Sequence, residues 1–418
     1  MVAVRFGSGL RTAFASAVAA IAIFTGIGAS AVAGESAHYR AVFDAAAKTI
    51  DVRLCLASDH AQVLFAADSP WAMRFVQDVR RGSDAAQARA SGWSVEHWRA
   101  GDCLDYRVDL AAIAQADKLD VGWRLGDDLV TAPQYWLLRA DVADDAPARV
   151  EVTLPPGWSI SAPWHETARN GRTIEFRIPS TPADWSAAVA IGRFDEHRIA
   201  LPGGTLRVTI LHGADAAQRA KLESWLTRVA HAALSAYGRL PLPDVQVLMI
   251  PLDRGDNGVL FGQSIRGQGN ALELLVNPAR PQAEFDDDWM AIHELSHLMH
   301  PYLGDRGSWL AEGLATYYQN VLRGRGGLLS VAQAWDRMGQ GFRRGAASAS
   351  HSDETLEQAA ASMHRNHAFQ RVYWAGAAYW LTVDRDLRRG SGGNIKLETA
   401  LSKFRDCCLP AQREWKPE

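Results

Sequence analysis

The chain has 418 residues, 48% of them hydrophobic and 22% charged, with a formal net charge of −3. That length accommodates two or three domains of ordinary size, and the composition supports a packed core and excludes a disordered chain. The near-neutral balance, without a long basic run, excludes nucleic acid as the main partner.

The N-terminal residues stand apart. Arg5 and Arg11 accompany an apolar run over residues 13–27, and Ala31-Val32-Ala33 has the small-x-small pattern of a signal-peptidase site. Residues 1–33 read as a secretory signal peptide, which places the mature protein in the periplasm or outside the cell. The apolar run is short for a membrane span and is interrupted by Gly26 and Gly28, so no stable membrane insertion is expected after cleavage. In an oxidising compartment Cys55 and Cys103 are a plausible bridge, whereas the sequence neighbours Cys407 and Cys408 are not expected to bridge each other. No pair has C-x-x-C spacing, which argues against a thiolate zinc site.

Residues 34–212 read as a β-rich, sandwich-like domain. Short runs rich in Val, Ile, Leu and aromatics occur at residues 49–56, 135–140, 149–154, 173–178 and 206–211, punctuated by Pro155-Pro156-Gly157, Asn170-Gly171 and Pro202-Gly203-Gly204. Residues 69–101 are less regular and read as a helix or long loop. Near Ala214 the period changes. Leu222, Trp225, Leu226 and Val229 recur at helical spacing, and Gly238 follows as a stop. Strands are expected at residues 245–250 and 271–276, with helix dominating thereafter. The fold class is therefore α+β, with residues 213–418 as a second, mainly helical domain. The Gly-rich segment 253–269 lacks the Lys-Ser/Thr ending of a phosphate-binding loop and reads as a flexible loop near the cleft. No G-x-S-x-G is present, so no serine nucleophile is indicated.

The chemistry concentrates in Asp286-Asp287-Asp288-Trp289-Met290-Ala291-Ile292-His293-Glu294-Leu295-Ser296-His297, which contains H-E-x-x-H. On a helix His293 and His297 lie one turn apart on one face and can reach one ion, while Glu294 is offset to act as a base. The aspartates suit a helix N-terminus. A catalytic zinc site takes a third protein ligand and leaves one position open. Glu312, in Trp309-Leu310-Ala311-Glu312-Gly313-Leu314-Ala315-Thr316-Tyr317-Tyr318, supplies that ligand from a second amphipathic helix. His300 is a rival on nearly the same face as His293 and reads as a supporting or packing residue.

The pair H-E-L-S-H and W-L-A-E-G-L-A-T-Y-Y resembles the gluzincin metallopeptidases, and most of all the glycyl aminopeptidase family, related to aminopeptidase N and leukotriene hydrolase. The stretch Val372-Tyr373-Trp374-Ala375-Gly376-Ala377 is similar to the family's Y-x-K-G-A segment, with Asp384 and Arg385 following. The resemblance implies an N-terminal β-domain and a thermolysin-like catalytic domain. It also implies that Tyr373 donates to the oxyanion. Three features depart from the family. No glutamate stands in Phe261–Asn270 where aminopeptidases bind the substrate's amino terminus, Glu273 coming later. Ala375 replaces the lysine. The two dozen or so residues after Gly393 leave no room for a peptide-binding PDZ domain.

The expected function is an exported zinc metallopeptidase that hydrolyses peptide bonds through metal-activated water, with Zn2+ held by His293, His297 and Glu312 and with Glu294 and Tyr373 catalytic. Exo- and endopeptidase action stay open, as does the oligomeric state. A non-catalytic peptide or cell-wall binding module with structural zinc is the alternative. Hydrolysis of a non-peptide amide or epoxide is a further enzyme alternative.

Overall fold

The computed structural model describes residues 37–67, 71–118, 120–142, 146–348 and 353–416. The signal-peptide reading of residues 1–33 lies outside them. Strict period-two burial builds the first half. Tyr39, Ala41 and Phe43 of Ala37–Asp44 point inward opposite Leu54, Val52 and Ile50 of the antiparallel strand Thr49–Leu56. An eight-stranded sheet and two four-stranded sheets share one apolar core of such residues. Cys55 pairs in register with Cys103 on the neighbouring strand, and the two are disulfide-bonded.

Several expectations change. Residues 135–140 are mostly not strand. A short 3-10 turn at Pro133–Tyr135 leads into buried Trp136, Leu137 and Leu138, and only Arg139–Ala140 pairs with another strand. The tyrosine hydroxyls of Tyr106 and Tyr39 donate to the carbonyls of Trp136 and Leu138, which therefore need no partner strand. Within residues 69–101, expected as a helix or long loop, a short 3-10 helix at Ala72–Phe75 is followed by four short strands, Val76–Arg81, Asp84–Ala85, Gln87–Arg89 and Gly92–Trp98. Cys407 and Cys408 are bonded to each other, in the last turn of the helix Leu397–Cys408, where the chain turns extended at Leu409.

The second half is organised by a five-stranded sheet in the spatial order Glu196–Leu201, Gly204–Ile210, Asp244–Pro251, Ala271–Val276, Val259–Ile265. Residues 206–211, expected in the β-rich domain, thus pair with the catalytic-half strands, and this sheet begins at Glu196. The segment 253–269, expected as a loop, holds the strand Val259–Ile265 at the sheet's edge. The helix Ala216–Ala233 starts on an Asp215–Gln218 capping box and lays Leu222, Trp225, Leu226 and Val229 into a core with Leu272, Leu274 and Val276. The opposite sheet face, through Leu248, Ile250 and Leu275, packs with Val130, Ala190 and Phe194 of the first half. Among the described residues no helix is long and apolar enough to cross a membrane.

Glu273 lies on that inner face, alternating with Leu272 and Leu274. It is 1% exposed. Its Oε2 accepts from Gln263 Nε2 at 2.5 Å and its Oε1 has no partner among the described residues. Burial pushes its pKa up to about 7, against the hydrogen bond from Gln263. The folded state therefore holds a proton that the unfolded chain releases near pH 4.5. The group favours folding fully below that pH and loses its contribution as pH rises through about 7. Glu273→Gln should raise stability at pH 8 by on the order of 3 kcal/mol and give no gain at pH 4. Denaturation at both pH values checks this, and an equal difference at the two would refute it.

Candidate active site

The helix Met290–His297 has eight residues, too few to persist alone. It is fixed at both ends. Asp288 accepts from the N–H groups of Met290 and Ala291 at 3.1 and 3.0 Å, and burial pushes its carboxyl up to about 6. Arg323 Nη2 donates to the Asp287 carbonyl at 2.8 Å. At the other end Ser264 Oγ and Arg266 Nη2, from the edge strand and the residue after it, donate to the carbonyls of Glu294 and His297 at 2.7 and 2.6 Å. The last four helix carbonyls lack intrahelical partners, and a cation suits that end of the dipole. Ala291, Ile292 and Leu295 are buried beneath.

Glu312 and Tyr373 come from two long helices, Ser308–Arg325 and Phe369–Gly390. These cross at Gly313 and Gly376. A Cβ on Gly376 would meet the Trp309 carbonyl at 2.2 Å, and one on Gly313 would meet the Gly376 carbonyl carbon at 2.5 Å. The backbones approach so closely only because both positions are glycine. The crossing sets Tyr373 against His293, ring centroids 5.9 Å apart and planes 20° apart.

Single ligand atoms of His293, His297 and Glu312 all lie within 4.8 Å of one another. Glu312 Oε2 is 3.2 Å from His293 Nε2 and 3.6 Å from His297 Nε2. The far ring nitrogens are also fixed. His293 Nδ1 meets Gln319 Oε1 at 2.9 Å. His300 Nδ1 must donate to the Pro301 carbonyl at 2.7 Å, because a carbonyl only accepts. Burial, with Arg266 and His297 adding to it, holds the His300 pKa well below its ordinary value, so its Nε2 is an acceptor for His297 Nδ1 at 3.3 Å. Both metal-facing Nε2 atoms are thereby free to present lone pairs beside a carboxylate oxygen. Burial opposes charge on Glu312, yet His297 and His293 hold its carboxyl well below the usual range. Burial opposes a charged His293 too, and the carboxylates of Glu312 and Glu294 outweigh it, raising the pKa of the ring. Three acceptors converge on a point that needs a positive charge, which is the donor set of a divalent transition metal.

Glu294 stands outside the cluster, against the edge strand, where a Cβ on Gly262 would meet its Cγ at 3.0 Å. Burial, reinforced by Glu312, raises the Tyr373 pKa, so the phenol keeps its proton. A cleft of about 770 Å³ opens beside the cluster, lined in part by Trp289, Gln319, Arg323 and Tyr373. His300 stands behind His297, and Glu273 faces away from the helix. Asp384 is not at the site. It is buried and accepts from Tyr317, Arg388 and the Leu397 N–H, while Arg385 pairs with Asp386. Sequence reading missed Gln319 and Arg266. Gln319 is seven residues beyond Glu312, two turns along the same helix face, and that spacing was its signal.

Neither a family model nor a curated protein matches the sequence. Solved structures do. An aminopeptidase N family protein from Idiomarina loihiensis aligns with a TM-score of 0.68 at 14% identity, covering 88% of this chain and 70% of that one. The chain has the aminopeptidase N fold. An M1 zinc metallopeptidase from Deinococcus radiodurans, solved as a mutant bound to a Tyr-Ser-Ala substrate, aligns at TM-score 0.50 and 14% identity, covering 88% and 85%. Yeast LTA4 hydrolase in complex with bestatin aligns at 0.52 and 14%, covering 91% and 62%. Within the aminopeptidase N fold of this chain, the acceptor cluster lies between the edge strand and the crossed helices.

If His300 and Gln319 orient the two imidazoles, removing either should weaken zinc binding about 10- to 100-fold. Competition against a chelating dye on His300→Phe and Gln319→Leu measures this. Affinity equal to wild type in both would show that the outer hydrogen bonds orient nothing.

Proposed function

We propose that this protein is an exported zinc metallopeptidase with a thermolysin-like catalytic half. The observation that carries the reading is the buried convergence of His293, His297 and Glu312 beside a non-ligating Glu294. The three donors fit zinc, which when bound supplies Lewis acidity and a nucleophilic water at neutral pH. Glu294 takes a proton from the attacking water and passes it to the departing amine. Tyr373 donates its retained proton to the oxygen on which charge develops. The edge strand Val259–Ile265 has one side unpaired in its sheet, so an extended peptide can add to it as a further strand above Glu294. Export is supported by the leader pattern of residues 1–33 and the Cys55–Cys103 bridge.

Structural zinc sites usually engage four protein ligands, whereas among the described residues three converge here, which favours catalysis over a purely binding role. The open strand edge and the cleft favour a peptide over an epoxide. Arg266 bears on the kind of peptidase. Its guanidinium interacts with both Glu294 and Glu312. A free N-terminal ammonium brought there meets a cation, so cleavage within a chain is favoured over trimming from its amino end.

Digestion of a peptide library by the zinc-loaded protein, read by mass spectrometry, tests the reading. Glu294→Gln should keep its zinc and lose about 100- to 10,000-fold in kcat. Zinc-bound wild type that cleaves nothing would refute the reading. Acetylating the N-terminus of a cleaved peptide should leave its kcat/KM unchanged or higher, and loss of cleavage on acetylation would assign an aminopeptidase instead.

A further inference from the structure

The cleft beside the acceptor cluster carries a charge pattern that the hydrolytic residues do not use. Arg323, Arg337 and Arg344 line it, against a single lining carboxylate, Asp336, which accepts from Gln340. Arg337 also pairs with Asp287 on the rim, and the carboxyls of Asp287 and Asp288 both act on Arg323, while Arg344 extends from the opposite wall. Arg344 lies over the Trp374 ring at 5.2 Å, leaving its guanidinium on an exposed side chain.

The wall behind these groups is under-satisfied. Thr316, Asn320 and Arg323 follow one another along one face of the helix Ser308–Arg325, the helix that also carries Glu312 and Gln319. They are 1%, 2% and 1% exposed. Thr316 Oγ1, Asn320 Nδ2, and the Nε and Nη1 of Arg323 have no hydrogen-bond partner among the described residues. Arg323 donates from Nη2 to the Asp287 carbonyl, with the Asp287 carboxylate 3.8 Å away and the Asp288 carboxyl also acting on it. A buried guanidinium with two unmet donors is a cation without full compensation, and buried polar groups left unpaired are rare enough to need an explanation. Gln319 and Tyr373 belong both to this cleft and to the surroundings of His293, so a ligand in the cleft is continuous with one at the cluster.

We propose that this cleft is a specificity subsite for an acidic residue of the substrate, its carboxylate received by Arg344 and Arg337 and stabilised by Arg323 behind them. The proposal rests on the peptidase reading for the identity of its ligand, but not for the anion chemistry. A carboxylate suits the site better than an amide or alkyl group, because bidentate guanidinium–carboxylate pairing is strong and partly desolvated here. Thr316 Oγ1 and Asn320 Nδ2 add donors to the same wall.

The test has two arms. In the first, peptides that differ only by Glu or Gln, the change placed at each position in turn, are digested by the zinc-loaded protein. The expected result is a preference in kcat/KM for Glu of about tenfold or more at one position, shrinking toward unity in R344Q and in R337Q. Equal or better cleavage of the Gln peptides at every position overturns the proposal, as does a preference that survives both substitutions. In the second arm, glutarate and glutaramide are titrated into the metal-free protein and followed by tryptophan fluorescence, since Trp289 and Trp374 line the cleft. Glutarate alone should bind, more weakly at high salt and in R344Q. Such binding in a protein that cleaves no peptide would uphold the anion site and refute only the peptidase reading. Peptide cleavage without Glu preference and without glutarate binding would refute only the subsite.

Discussion

A carboxylate oxygen packed against two imidazole nitrogens inside a protein is tolerable only when positive charge sits among them. That constraint governs the second half of this chain. Without an ion, a proton must serve, which is why the His293 ring is held above its ordinary pKa and Glu312 far below its own. A divalent ion replaces that proton and satisfies all three groups at once. The outer hydrogen bonds then decide the tautomers. Gln319 and the His300–Pro301 pair each fix hydrogen on the far side of a ring, so the near nitrogens have only lone pairs to offer.

Holding such a cluster requires backbone precision that a short helix cannot provide by itself. The structure supplies it from three directions. The edge strand reaches the carbonyl end of the histidine helix through Ser264 and Arg266, and Asp288 and Arg323 bind its amino end. The Gly313–Gly376 crossing brings the Glu312 helix and Tyr373 within reach. The β-rich half contributes too. Arg207, in the catalytic sheet, is 5% exposed and donates to the Ala162 carbonyl while pairing with Asp244 and Glu196. Gln268, just past the edge strand, accepts from the Trp164 indole. The strand that lies against Glu294 is therefore anchored on the first half, so the β-rich half acts on the site through position.

The clustering of His293, His297 and Glu312 was legible because H-E-x-x-H places two imidazoles on one face by helical period, and a third group only needs a neighbouring helix. Burial alternation made the paired strands Thr49–Leu56 and Thr173–Ile178 legible for the same reason. What resisted reading depended on partners far away in sequence. Val259–Ile265 is interrupted by Gly262 and only partly buried, so it lacks the alternation that marks a strand; its identity comes from pairing with Ala271–Val276. Residues 136–138 look like a strand because they are apolar, but tyrosine hydroxyls from distant strands take the hydrogen bonds a neighbour would have made. The Cys407–Cys408 bond and the role of Arg266 leave no periodic trace at all.

The charges along the cleft give one further step of synthesis. A formal net charge of −3 would lead one to expect an acid-lined surface, yet the groups around the cluster are arginines: Arg266 at the carboxyl end of the histidine helix and Arg323, Arg337 and Arg344 toward its amino end. Glu294 and Glu312 lie between them. On the proposed peptidase reading, these cations draw the carboxylates of a substrate toward the ends of the cleft and leave the neutral peptide group to face the cluster. On that reading, cations at both ends of the cleft orient the chain across the two carboxylates rather than bind the reacting group.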